Sequence, residues 1–191
     1  NEGLPIDSFT LVPHSWDLND LIYDRVQALT AYIVNEPYKF QKLNVPINII
    51  KPINYGIDFY GDCLYTTRDE IRKNPDRVDA FLSASKKGWE YAFLNQEEII
   101  DLIVSKYSSK KTKDELRYEA HEMEKLILPD LVEIGHMNPN RWKHIGDTYA
   151  QLGQIKKNYK LDDFIYNSQD NKRFKFFLQL VYFLTIILVF S

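Results

Sequence analysis

The sequence predicts an α/β protein that ends in a membrane helix, and three features predict it. Short runs rich in β-branched and aromatic residues alternate with turn residues through the first third of the chain. Helical spacing takes over from Asn74 onward, and residues 176–190 are apolar apart from Gln179, Tyr182 and Thr185. Apolar runs of about four to eight residues bounded by turn formers read as strands, whereas i, i+3, i+4, i+7 spacing reads as helix.

The first strand is Phe9-Thr10-Leu11-Val12, closed by Pro13-His14-Ser15. Asp17 then caps a helix carrying Leu18, Leu21, Ile22 and Val26 at helical spacing. Ligands of open α/β sheets bind beyond the carboxyl ends of strands, so His14 and Ser15 either line a cleft or serve the turn and cap. Residues 28–34 form a second apolar strand, stopped by Pro37, and Asn35 and Glu36 emerge at its carboxyl end. Residues 47–50 give a third strand and Cys63-Leu64-Tyr65-Thr66 a fourth.

Asn74-Pro75 opens a helix with Val78, Phe81, Leu82, Ser85, Trp89, Ala92 and Phe93 on one stripe, and Trp89 is assigned to the core. Asn95 with Glu98 and Thr112 with Glu115 have capping-box spacing, which predicts helices over 96–107 and 113–128, the second ending before Pro129. Asn138-Pro139 starts another, with Trp142, Ile145, Tyr149 and Leu152 on one face and Gly153 closing it.

The run 176–190 would cover only about 22 Å as a helix, against about 30 Å of bilayer core. A transmembrane helix cut short by the chain end is expected, with a docking helix as the alternative. Gln179, Tyr182 and Thr185 fall three apart and offer a polar stripe for pairing with a second copy, hence a possible homodimer.

Two short runs concentrate the binding chemistry. Ala31-Tyr32-Ile33-Val34-Asn35-Glu36-Pro37-Tyr38 and Asn54-Tyr55-Gly56-Ile57-Asp58-Phe59-Tyr60-Gly61-Asp62 combine carboxylates, aromatic rings and glycines. Aromatic faces sandwich a flat heterocycle while carboxylates and amides fix its edge. A tyrosine-rich structural turn has the same composition.

These runs, with Lys87-Gly88-Trp89-Glu90-Tyr91-Ala92, resemble the thiamine-pyrimidine-precursor family. Its members are fungal synthases of the hydroxymethylpyrimidine precursor, bacterial pyrimidine-binding periplasmic proteins, and similar domains fused to membrane sensors. Glu133-Ile134-Gly135-His136-Met137-Asn138-Pro139, Arg141-Trp142 and His144-Ile145 resemble the sensor-fused branch, and the likeness spans residues 9–153. Two positions depart from the family's pattern: Asp24 stands where Gly is usual and Gln27 where Asp is usual.

The resemblance implies the second half of a two-lobed type II periplasmic-binding-protein fold. On that basis residues 1–155 are a partial domain, 156–173 a linker and 174–191 the truncated membrane helix, with the 54–62 motif at the hinge. It also implies ligand roles. Glu36 would accept hydrogen bonds from an exocyclic amine, a charge-assisted contact if the ring is protonated, with Asn35 beside it. Tyr32, Tyr55 and Tyr60 would stack on the ring, and Asp58 or Asp62 would make a polar contact or cap the hinge.

The function so implied is an extracytoplasmic pyrimidine-binding domain of a membrane-anchored sensor, without a reaction. A synthase using pyridoxal phosphate and an active-site histidine is the alternative, its lysine and histidine expected upstream. An uptake protein that delivers ligand to a transporter is another.

Composition supplies the exclusions. A net charge of -3 with interspersed signs gives no case for nucleic acid, and the basic cluster of residues 106–113 reads as a solvated loop. One cysteine, Cys63, forms no internal disulfide, and His121, His136 and His144 lack the spacing of a helical metal site. No metal and no resident cofactor are expected. Lys172, Arg173 and Lys175 precede the apolar run, which the positive-inside rule would place in the cytoplasm. Large domains translocate largely regardless of flanking charge, so the resemblance decides for the periplasmic side of the cell membrane.

Overall fold

A computed structural model describes residues 5–107 and 110–168. Seven α-helices order the described chain: α1 (Asn19–Ile22), α2 (Glu36–Lys42), α3 (Arg68–Lys73), α4 (Pro75–Leu94), α5 (Gln96–Leu102), α6 (Lys113–Ile127) and α7 (Pro139–Gln151). A π-helical turn over Ile103–Tyr107 continues α5, and short 3₁₀ turns lie at Ile6–Ser8 and Pro52–Tyr55. The apolar run 176–190 and its pairing stripe lie outside the described residues. Among the described residues no helix is long and apolar enough to cross a membrane.

The helix starts follow local chemistry. Thr112 and Glu115 form a reciprocal capping box on α6, and Asn138 caps α7 by accepting from the N–H groups of Asn140 and Arg141. Asn95 precedes α5 without a side-chain cap bond, so the second expected capping box is not formed. The helix expected after Asp17 is a single turn. Asp17 Oδ1 accepts from the Asn19 N–H at 3.0 Å, but the chain leaves the helix at Tyr23 and turns through Asp24 at φ 54.

The four expected strands are absent among the described residues. Residues 9–12, 28–32, 47–50 and 63–66 form no ladder, and Ile33, Val34 and Asn35 make a turn into α2 in which the Asn35 N–H donates to the Tyr32 carbonyl at 3.0 Å. The reason is physical: β-propensity describes fitness for a paired, half-buried surface, and pairing comes from elsewhere in the chain. With no neighbour to pair with, Leu11 stays 84% exposed and Tyr65 91%. Trp89, expected in the core, is 45% exposed on α4. An amphipathic stripe is buried only as far as another element covers it.

The chain divides into two compact units. The first comprises Asn1–Ile49 and Phe93–Leu128. Its core is Phe40 of α2, 2% exposed, with Ile100 of α5 and Leu116 of α6. The Tyr38 and Tyr118 rings meet at 5.2 Å, and the Tyr118 hydroxyl donates to the Ile33 carbonyl. On the solvent side Arg117 pairs with Glu97 at 2.7 Å, tying α6 to α5. That hydrogen bond holds the Glu97 carboxyl below its ordinary pKa.

The second unit comprises Ile50–Ala92 and Pro129–Ser191. Its best-buried residues, Ile145, Gly146 and Ala150, all lie on α7. Residues 156–168 run back over this helix. The Tyr159 ring lies where a Cβ on Gly146 would collide with it, so glycine is required there for space. The Tyr159 hydroxyl is within hydrogen-bond reach of Asp147 Oδ1 and the Lys143 carbonyl. Phe164 sets its edge against Trp142 at 4.9 Å, Tyr166 donates to Asp79 at 2.6 Å, and Arg68 donates to the Asp162 carbonyl.

Candidate functional site

A hollow of about 220 Å³ in the first unit is lined by Trp16, Thr30, Ala31, Tyr32 and Glu36. Pockets for drug-sized molecules start at about 300 Å³, and this hollow is smaller than that.

Glu36 is the first residue of α2 and its carboxylate turns back, Oε2 accepting from the Tyr32 N–H at 2.7 Å. A carboxylate accepts up to about four hydrogen bonds. One bond to Tyr32 therefore leaves Glu36 able to receive an amine. The acidic side chain also suits the positive end of a helix. Burial of Phe40, a turn further along α2, fixes the helix that carries Glu36. Asn35 precedes α2 and its side chain makes no cap bond.

Trp16 joins the lining from the 14–17 turn. The Ser15 hydroxyl donates to Asp20 Oδ2 at 2.6 Å and accepts from the Asp17 N–H, while Asp20 also pairs with Arg25. The Ser15 and Arg25 hydrogen bonds hold the Asp20 carboxyl below its ordinary pKa. Ser15 therefore serves the turn. His14 does too, through Thr30 and Trp16. The residue that reaches the hollow from this turn is Trp16, which sequence reasoning passed over; its place directly after His14-Ser15, at the end of an apolar run, was the available signal.

The second motif is arranged differently. Pro52–Tyr55 ends at Gly56, whose φ of 75 favours glycine, and the Gly56 carbonyl meets His144 Nε2 at 2.8 Å. Asp58 pairs with Arg141 at 3.0 Å, and the same guanidinium lies 4.8 Å from the Tyr60 ring centroid. The Tyr60 hydroxyl accepts from the Asn138 N–H at 2.7 Å, and its ring meets Trp142 at 5.1 Å. Phe59 contacts the rings of His144 and Tyr149. Asp58 and Tyr60 are thus engaged with the first turns of α7. Tyr55 and Asp62 are exposed, and desolvation with the neighbouring Asp62 raises the Cys63 thiol pKa.

Of the seven residues singled out by sequence, the structure gathers Tyr32 and Glu36 at the hollow, places Asn35 between them in the chain, and puts Tyr55, Asp58, Tyr60 and Asp62 in the other unit. No group of three or more histidine, cysteine or acidic side chains capable of holding a metal ion occurs among the described residues.

A concave surface with aromatic walls and one oriented carboxylate has the chemistry of a small-molecule site. The NMT1/THI5 like family matches residues 1–99, and the chain belongs to that family. Membership supports a periplasmic-binding-like fold class and the handling of a thiamine-related pyrimidine, by binding or by synthesis. The match includes both aromatic motifs and ends before residues 133–145. Neither the curated proteins nor the solved structures compared with the chain gave a match.

Proposed function

We propose that the chain is the ligand-binding part of a membrane-anchored sensor, on the extracytoplasmic side, which takes an aminopyrimidine-like molecule without transforming it. The observation that carries the ligand class is the hollow: Tyr32 and Trp16 in its lining, and Glu36 with acceptor capacity left. Family membership supports the same class. The apolar run 176–190 supports the anchor, and the likeness of residues 133–145 to sensor-fused proteins supports the sensor.

In this reading Glu36 receives the exocyclic amine, Tyr32 lies against the ring and Asn35 supplies an amide at its edge. Asp58 and Tyr60 act by holding α7 to the motif, with Tyr55 and Asp62 as that motif's exposed polar edge. A thermal-shift screen of the full-length protein against pyrimidines, thiamine and pyridoxal phosphate tests it, because a ligand bound only by the folded state raises its stability. A shift with the pyrimidine that falls at least tenfold in potency in Glu36→Gln is expected, since a hydrogen bond to a charged group contributes about 1.5–3 kcal/mol. Turnover of pyridoxal phosphate would replace sensing by synthesis.

A further inference from the structure

Trp16 is a residue whose own packing does not account for its conformation. Its backbone has φ 63, a left-handed value that is an outlier for a bulky side chain. The residue lines the hollow and is 77% exposed. Strain of this kind persists where the surroundings hold it.

His14 holds it. The Trp16 N–H donates to His14 Nδ1 at 2.9 Å, and the two rings stack with centroids 4.5 Å apart and planes inclined by 25°. On its far side His14 Nε2 lies 2.9 Å from the Thr30 carbonyl oxygen. A backbone N–H can only donate and a carbonyl oxygen can only accept. Nδ1 is therefore the acceptor and Nε2 carries the proton. The neutral Nε2–H tautomer ties Trp16 to Thr30, which is itself part of the wall of the hollow.

We propose that Trp16 is the ring face on which the ligand of this hollow stacks, and that His14 is the positioning residue that presents it. The inference rests on the hollow being the ligand site. Trp16 and Tyr32 place aromatic residues in the lining and Glu36 a carboxylate with acceptor capacity left, a combination that suits a planar heteroaromatic ring bearing an amine. The indole face also favours a ring that is electron-poor or protonated.

The test is titration of the full-length protein with 4-amino-5-hydroxymethyl-2-methylpyrimidine, followed by calorimetry and by tryptophan fluorescence. Trp16→Leu is expected to weaken binding roughly tenfold, whereas Trp16→Phe, which keeps a ring, stays close to wild type in affinity, and both lose the ligand-dependent fluorescence change. His14→Asn keeps an acceptor for the N–H two residues on, as an Asx turn does; His14→Phe keeps the stacked ring and removes the acceptor. Near-normal affinity in His14→Asn with a roughly tenfold loss in His14→Phe supports the positioning role. Equal affinities in the two overturn it. If Glu36→Gln weakens binding but Trp16→Leu does not, the stacking assignment falls and the hollow stands. If the wild-type protein does not bind the pyrimidine, the reading of the hollow falls and this inference falls with it.

Discussion

The two motif regions have nearly the same composition and opposite states of satisfaction. Around Glu36, a carboxylate that accepts from the Tyr32 N–H and keeps acceptor capacity lines a hollow with the exposed Trp16 and Tyr32. Around Asp58, a carboxylate meets a guanidinium, and the nearby Tyr60 has its hydroxyl and its ring engaged by the start of α7. Carboxylate plus aromatic ring is therefore not sufficient to define a ligand site. What separates the two is whether the chain itself has supplied the partners.

The largest expected effect tests the support under the open region. Phe40→Ala removes the best-buried side chain of the first unit and should destabilise it by about 3–5 kcal/mol, the cost of emptying a Phe site. Amide exchange would then rise in α2, α5 and α6 while the amides of α7 keep their protection. Equal loss in α7 would show that the two regions fold as one.

Next comes the satisfied region. Tyr60→Phe deprives the Asn138 N–H of its acceptor at the start of α7 and should cost about 1 kcal/mol in denaturant unfolding. Pyrimidine affinity should stay within twofold, in contrast to Glu36→Gln. A tenfold fall in affinity would make Tyr60 part of the ligand site and erase the distinction between the regions.

Acid sharpens the comparison from another side. The Lys143 hydrogen bond, and then that of Tyr159, hold the Asp147 carboxyl below its ordinary pKa. A depressed folded-state value means stability that is present above the ordinary carboxylate range and lost as pH falls through the lowered value. Lowering pH from 7 towards 3 should therefore lower the melting temperature, and Asp147→Asn should flatten that dependence. The same hydrogen bond raises the pKa of Lys143, so its contribution persists to high pH and is lost only as the lysine deprotonates. An unchanged acid limb in Asp147→Asn would remove the 143–147–159 cluster from the account of α7.

The parts legible in sequence were those fixed within a few residues. Pro75, the Thr112–Glu115 box, Asn138-Pro139 and Gly153 at φ 71 all act through neighbouring backbone, and all mark helix ends that the structure shows. The strands were not legible as outcomes, because Leu11, Ile50 and Tyr65 show propensity while pairing depends on distant chain. Trp89 failed for a related reason: spacing defines a stripe without saying what covers it. Glu36 was legible as a candidate because its position at the end of an apolar run, just ahead of Pro37, is local, although the helix it begins was not expected. For Trp16 only its place after an apolar run was legible, since its conformation depends on a bond from its own N–H to the ring of His14.

The smallest expected effect comes from one backbone conformation used in both regions. Asp24 has φ 54 and Gly56 has φ 75. Gly56 has no atom within 4 Å of the place a Cβ would occupy, so Gly56→Ala meets no collision and its cost is conformational, about 1 kcal/mol. Asp24 already bears that cost in part, because aspartate tolerates the left-handed region better than most residues. Asp24→Gly relieves it but loosens the unfolded chain, an opposing entropy of similar size. The net gain should be no more than about 0.5 kcal/mol, read as a small rise in the denaturant midpoint with an unchanged slope. A loss would mean that the aspartate side chain itself stabilises the turn that follows α1.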